Sequence, residues 1–445
     1  MVDLSAPWLS ICILAMIAAA FVARLKTFEI HQRSVALAGC SISFLCALET
    51  VREVAGSGWK TLHEPVGIVI FRADALNAVT MALFLFVVLV SIVSAPRRDI
   101  NSSTGFALLM LSAGTLTAYA ADTLMVFLAG WVVALLPAWR TSMFESITGS
   151  VLLAGGALLQ AAGSSRAAFV CLACAAVLRT GVFPFQRFAV ARFEATPLLA
   201  GPLANAHLGI FLLIQFALPL APDTARLALP GLFALAMISS MGAAVSAIRA
   251  NAPRRILSLL VVSQSAGILA GFLTALPEGT TGGLLQWIVM TLASTTLFSI
   301  TSSIEARISQ PLSGDQLYGL ASQMPRLAVL FAISALALVG LPGTLGFPGE
   351  DLLIHGVLSA HPLLGLLLPV SIALNAYSLY RLFSRIFLGA PVRSFAGAGD
   401  ALPRERWALS VGLVLLVLAG LMPDGVVALR STAADLLAGV HGQRP

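Results

Sequence analysis

Few side chains in this sequence could hold or pass a charge away from water, and they gather at three places. Arg179 lies in the run AVLRTGVFPF, five residues before Pro184. His207 lies in GPLANAHLGIFLL. Glu350 and Asp351 lie in GLPGTLGFPGEDLLIHG, with His355 one helical turn beyond Asp351. Glu, Asp and His exchange protons, whereas Arg is a permanent cation. An ionisable group at membrane depth costs several kcal/mol and is by default a functional candidate. The structural alternatives are an Arg snorkelling to the membrane edge and a His satisfied by helix packing. Two of the three places adjoin helix breakers: Phe183-Pro184-Phe185 follows Arg179, and Gly340-Leu341-Pro342-Gly343 precedes Glu350. Such breaks free backbone carbonyls, which are tolerated in lipid only where they line a polar cavity.

Other chemistry is poorly represented. Cys171-x-x-Cys174 has a redox or metal spacing, but it sits in an apolar run without an acid or His nearby and reads as structural. No Gly-rich nucleotide fingerprint follows a strand, and no clustered Cys could hold an iron–sulfur centre. The expectation is no metal, no cofactor and no catalysis by this chain alone.

The elements that must position these residues are membrane helices. The 445 residues are 58% hydrophobic and 10% charged, with a mean hydropathy of +0.95. A soluble chain carries roughly 25% charged residues, so a soluble enzyme, a nucleic-acid module and a disordered chain are excluded. Apolar stretches long enough to span a bilayer recur about fourteen times, which predicts an all-α polytopic membrane protein. The first, 6–23, has no basic region before it and no small-residue cleavage site after it, and reads as a retained helix. The net charge of +6 comes almost wholly from Arg in short runs between these stretches. Most of the 26 Lys and Arg fall in the loops of one side. By the positive-inside rule that side is cytoplasmic and both termini lie outside it. The two breaks lie in corresponding helices of two five-helix units, a pointer to inverted repeats with a polar path at mid-membrane. The expected division is an N-terminal segment at 1–100, repeats at 101–220 and 221–390, and a C-terminal helix and tail at 391–445.

These pieces, in this order, resemble the antiporter-like membrane subunits of respiratory complex I. That family includes the large Mrp antiporter subunits, hydrogenase membrane subunits and the membrane partner of DAB-type inorganic-carbon uptake complexes. RTGVFPFQRFAVARFEATPLLA is similar to the family's Lys-Ser-Ala-Gln-x-Pro-Phe-His stretch followed by Thr-Pro-Val-Ser-Ala. NAPRRILSLLVVSQSAG resembles Asp-x-Lys-Arg-x-Leu-Ala-Tyr-Ser-x-x-Ser-Gln-x-Gly. DQLYGLASQMPRLAVLFAISALALVGLPGTLGFPGE resembles the loop, Met-Pro and Gly-x-Pro-Gly-x-x-x-Phe-x-x-Glu run. The likeness spans about 70–425.

The resemblance implies roles residue by residue. The family's broken-helix Lys falls on Arg179, and the second-half acid falls on Glu350. The Glu that tunes the Lys falls on Val132, after Trp131, and is absent. One family His falls on Leu203, another near Met290, and a later Lys near Leu208, with His207 adjacent. A buried Lys can lose its proton; an Arg, with a pKa above about 12, cannot. The first half is therefore expected to have lost its switch, leaving Arg179 as a fixed charge and Glu350, His207, Asp351 and His355 able to titrate. The implied function is a proton- or cation-conducting subunit of a complex-I-like assembly in a bacterial cytoplasmic membrane. The alternatives are a carbon-uptake subunit with a soluble zinc-bearing partner, and a scaffold that has lost conduction. At least one other protein subunit is expected. The pieces 304–326 and 381–406, with Arg307, Arg326, Arg393, Arg404 and Arg406, would meet it.

Overall fold

The computed structural model describes residues 2–25, 31–136, 143–195, 197–314, 316–390 and 399–440. Four of the basic residues behind the orientation, Lys26, Arg140, Arg393 and Arg444, lie outside them, as does the start of the expected C-terminal segment.

Apolar runs become helices because a helix satisfies its own backbone polar groups, and lipid offers no others. In chain order these are α1 (Trp8–Val22), α2 (Gln32–Gly56), α3 (Asn77–Ser94), α4 (Ser102–Tyr119), α5 (Leu124–Leu135) and α6 (Met143–Ala161). The interrupted segments follow: α7 (Ser165–Thr180), α8 (Gln186–Ala195), α9 (Pro197–Asn205), α10 (Leu208–Leu212) and α11 (Leu218–Leu220), with a π turn at Leu213–Ala217. Next come α12 (Pro222–Arg249), α13 (Pro253–Leu273), α14 (Pro277–Ile308), α15 (Pro325–Leu338) and α16 (Gly346–Ala360). The last are α17 (Pro362–Gly365), α18 (Leu367–Phe387), α19 (Pro403–Leu421) and α20 (Pro423–Val440). Among the described residues, eight helices are long and apolar enough to cross a membrane, or nine if α19 and α20, which meet at 90°, count as one. Three shorter apolar helices, α1, α5 and α15, add to them.

Burial sorts the helices into centre and rim. All of the apolar window of α13 is buried and 89% of that of α14, against 33% for α6 and for α18. The polar residues on α13 and α14 therefore face protein, not lipid. Small residues set the closest approaches. A Cβ on Gly114 of α4 would lie 2.3 Å from the backbone N of Ala134, and one on Gly130 of α5 would lie 2.5 Å from that of Ala118. The two backbones touch there, as helix pairs in membranes do at glycine.

One end carries a small sheet of order β1 (Val2–Asp3), β2 (Leu62–Val66), β3 (Val69–Ala73), parallel between β1 and β2 and antiparallel between β2 and β3. From β2, the Glu64 carboxylate accepts the backbone N–H groups of Leu9 at 2.8 Å and Ser10 at 2.9 Å, satisfying donors at the start of α1. Arg430 of α20 is buried at the same end and donates from Nη1 to the Ala75 carbonyl at 3.3 Å.

Candidate ion path

The second-half break positions an acid. Helix α15 stops at Leu338 and α16 begins at Gly346; between them Gly340 and Gly343 have φ of +71° and +89°. The Leu338 carbonyl, no longer used within the helix, accepts from Gln264 Nε2 of α13 at 3.3 Å. Glu350 stands one turn into α16, 7% exposed, and its Oε1 accepts from Gln286 Nε2 of α14 at 3.4 Å. The same Gln286 nitrogen lies 3.2 Å from Gln264 Oε1. A Cβ on Gly340 would come within 2.3 Å of Glu350 Oε2. Gly340, at the start of the turn that Pro342 and Gly343 complete, is thus packed directly against the carboxyl group.

Asp351 and His355 do not join Glu350. Their side chains are 59% and 72% exposed, and they face one another across a turn, with Nδ1 3.6 Å from Oδ1. The helical phase explains this: each residue along α16 turns about 100°, so the neighbour of an inward Glu350 points outward.

The first-half break positions a cation pair. Helix α7 ends at Thr180, Gly181 follows with φ +77°, and α8 starts just after Phe183-Pro184. The Phe183 N–H donates to Ser239 Oγ at 2.8 Å, and Gln186 Nε2 donates to the Ser239 carbonyl at 3.0 Å, which ties the break to α12. Arg179 is buried, not out among headgroups, and its guanidinium lies 5.4 Å from the Trp131 ring centre. Beside it is Arg192 of α8, also buried, which donates from Nη2 to the Arg179 carbonyl at 2.9 Å.

Both cations face one carboxylate. Glu145, at the start of α6, has Oε1 3.0 Å from Arg192 Nη1 and 3.9 Å from Arg179 Nη1. This corrects the expectation that the first half lacks its acid. Val132 is 38% exposed and faces away, while Glu145 supplies the charge from a different helix. The sequence held a signal for it: Glu145 is the sole acid between Asp122 and Glu194. Arg192 gave no such signal, because α8 reads as a basic loop.

Between the two breaks lies a third interruption, at Ala206 and His207, with neither Gly nor Pro at the break itself. The chain leaves helix there, and His207 has φ +40°. Tyr119 donates its hydroxyl to the freed Ala206 carbonyl. Asn205 Nδ2 lies 3.2 Å from Ser294 Oγ and 3.0 Å from Thr295 Oγ1, both on α14. The His207 ring packs edge-on to Trp287, centres 4.9 Å apart. A cavity of about 20 Å³ adjoins it, lined among others by Arg179, Thr180, Arg192, His207 and Ser265. Ser265 Oγ reaches the sulfur of Met290 at 3.8 Å, and Gln264 is its sequence neighbour.

A hydroxyl and amide cluster continues from Gln264 along one face of α18. Ser240 Oγ is 3.3 Å from Ser263 Oγ and 3.0 Å from Ser371 Oγ, and Asn375 Nδ2 donates to Ser263 Oγ at 2.9 Å. Buried polar groups thus gather at the interruptions: Glu145 with Arg192 and Arg179, His207 and Ser265 at a cavity the two arginines also line, and Gln264 with Gln286 and Glu350.

Two of the arginines expected to meet a partner are paired within the chain. Arg307 forms an ion pair with the buried Glu405, and Arg326 Nε lies 3.8 Å from Asp400 Oδ2. Arg393 lies outside the described residues. Exposed Arg187, Arg249 and Arg255 instead line a cleft of about 730 Å³ between α8, α12 and α13.

The profile of the family described as NADH:quinone oxidoreductase/Mrp antiporter, TM, matches residues 81–374. Subunit 13 of the NADH-quinone oxidoreductase of Thermus thermophilus is 28% identical, over 92% of this chain and 95% of that protein. Subunit M of Mycobacterium tuberculosis is 26% identical over 61% of this chain, and the match spans 49% of that longer relative. Among solved structures, a chain of respiratory complex I from Thermus thermophilus superposes with a TM-score of 0.84 at 23% identity, covering 97% of this chain and 99% of that one. A chain of the Mrp complex from Dietzia sp. DQ12-45-1b gives 0.83 at 19% identity, covering 97% of each.

Proposed function

This chain belongs to the NADH:quinone oxidoreductase/Mrp antiporter transmembrane family, and we propose that it conducts protons through the membrane as one subunit of a larger complex. The observation that carries this reading is Glu350. It is a buried carboxyl group held against a helix break by Gln286, while Gln264 takes up the carbonyl that the break releases. Neutral amides and hydroxyls can rotate to donate or accept, so Gln286, Gln264 and the Ser263, Asn375 cluster suit a route to and from a group that gains and loses a proton. On this reading Arg179 and Arg192 are fixed charges that bias the route electrostatically, since a guanidinium does not release its proton.

The work that the proton gradient drives belongs to a partner. The cleft lined by Arg187, Arg249 and Arg255 suits an acidic partner face better than Arg307 does, which Glu405 already neutralises. A soluble zinc-bearing protein of a carbon-uptake complex would be one such partner; a stoichiometric, zinc-containing protein in a mild-detergent purification separates that setting from a quinone-reducing one. The proposed location is a bacterial cytoplasmic membrane with both termini on the outer side, checked by reporter fusions at each end.

The test uses the assembled complex in liposomes with a trapped pH dye. Glu350→Gln keeps the shape and removes the proton exchange. Proton movement should fall at least about tenfold, in line with loss of a group that transfers protons. An unchanged rate would take Glu350 off the route.

A further inference from the structure

The charges around the first break do not balance. Arg179, Arg192 and Glu145 are all buried, and counting the imidazole of His207 as neutral they sum to one positive charge. A buried charge without a counter-charge is strongly disfavoured, and proteins pair it or hold an ion against it. Among the described residues, Glu145 is the sole carboxylate in ion-pair range of either guanidinium. Neither of those contacts has hydrogen-bond geometry: Arg179 Nη1, Arg192 Nε and both Glu145 oxygens lack a directed partner, as does His207 Nε2.

We propose that the cavity of about 20 Å³ lined by Arg179, Arg192, His207 and Ser265 is a binding site for one small monovalent anion of the chloride type. The lining offers guanidinium N–H groups and a hydroxyl, a donor set that suits an anion and repels a cation. One water needs about 10–15 Å³, so the cavity is on the scale of a single compact ion, with the Arg and Ser side chains drawn in as partners, and excludes a phosphate. The anion neutralises the cluster and fills hydrogen-bonding capacity that Glu145 leaves unused. Its test reads anion binding and does not depend on proton movement through Glu350.

The purified complex is dialysed against radioactive chloride in a gluconate buffer, so no transport is measured. One saturable site per chain is expected. Arg192→Gln makes the cluster neutral and should weaken binding about tenfold or more; Glu145→Gln raises its net charge and should tighten binding by a similar factor. Replacing gluconate by chloride should also raise the melting temperature, and more so in Glu145→Gln. If either variant fails to assemble, saturable chloride binding and the chloride-dependent melting temperature of the wild type decide. Absence of saturable chloride binding in the wild type, which means water alone occupies the cavity, overturns the proposal. So does an affinity that neither substitution changes.

Discussion

The two helix breaks use the same backbone device for opposite chemistry. At each, a glycine with positive φ ends a helix, a proline follows within a few residues, and a side chain from a central helix or from the next segment takes up a freed carbonyl. At the first break that side chain is Arg192, and the buried groups are Arg179, Arg192 and Glu145, all charged. At the second it is Gln264, and Glu350 accepts from the Gln286 amide without a cation in ion-pair range among the described residues. The carboxylate at the first break faces two fixed cations, whereas the carboxyl group at the second has a neutral amide as its hydrogen-bond partner. On the proposed reading, the first break keeps its charge and the second changes it.

Removing the acid from each break should have opposite signatures. Glu145→Ala strands two guanidinium groups in the interior. It should cost about 3–5 kcal/mol, the scale of breaking a buried ion pair from one side, seen as lost assembly or a large drop in melting temperature. Glu350→Gln should leave stability within about 1 kcal/mol, because an amide can keep the Gln286 contact, while proton movement collapses.

The glycines give the next largest contrast. Gly340→Ala meets both a positive φ and the Glu350 carboxyl, so about 2–3 kcal/mol and most of the proton flux should be lost. Gly343→Ala has a positive φ but open space around it, so only the conformational cost of about 1 kcal/mol is expected. Equal loss of flux in the two variants would show that the turn's shape, and not its contact with Glu350, matters.

Smaller differences separate the two arginines. Arg192 sits 3.0 Å from Glu145 and also donates to the Arg179 carbonyl, whereas Arg179 lies 3.9 Å away. Arg192→Lys should therefore cost about 1–2 kcal/mol, and Arg179→Lys less than about 1; thermal unfolding of the two complexes compares them. The smallest effect belongs to Asp351→Asn with His355→Ala. This exposed pair contributes at most about 1 kcal/mol, and proton flux should stay within a factor of two.

Much of this contrast can be read from residue order. Gly340, Pro342, Gly343 and Pro184 mark their breaks because Gly and Pro change backbone geometry wherever they stand, and Glu350 is exposed to notice by the break before it. Arg179 is legible for the same reason. The partner of Arg179 is not, because pairing across helices depends on packing. Glu145 can be found only as a lone acid in a long apolar stretch, and Arg192 looks like any basic loop residue until α8 is seen folded inward. Nothing in Asn205-Ala206-His207 announces a break, since tertiary contacts from Tyr119, Ser294 and Thr295 hold it open. Asp351 and His355 adjoin Glu350 in sequence but lie on the exposed face of the helix.

The central claim, that the second break exchanges a proton and the first does not, can be read from the carboxyl groups themselves. Infrared difference spectra of the complex, recorded while a pH gradient is imposed and removed, report the stretching band of a carboxyl group that gains and loses its proton. The expected band disappears in Glu350→Gln and persists in Glu145→Gln. A band that survives Glu350→Gln and vanishes in Glu145→Gln would contradict the claim.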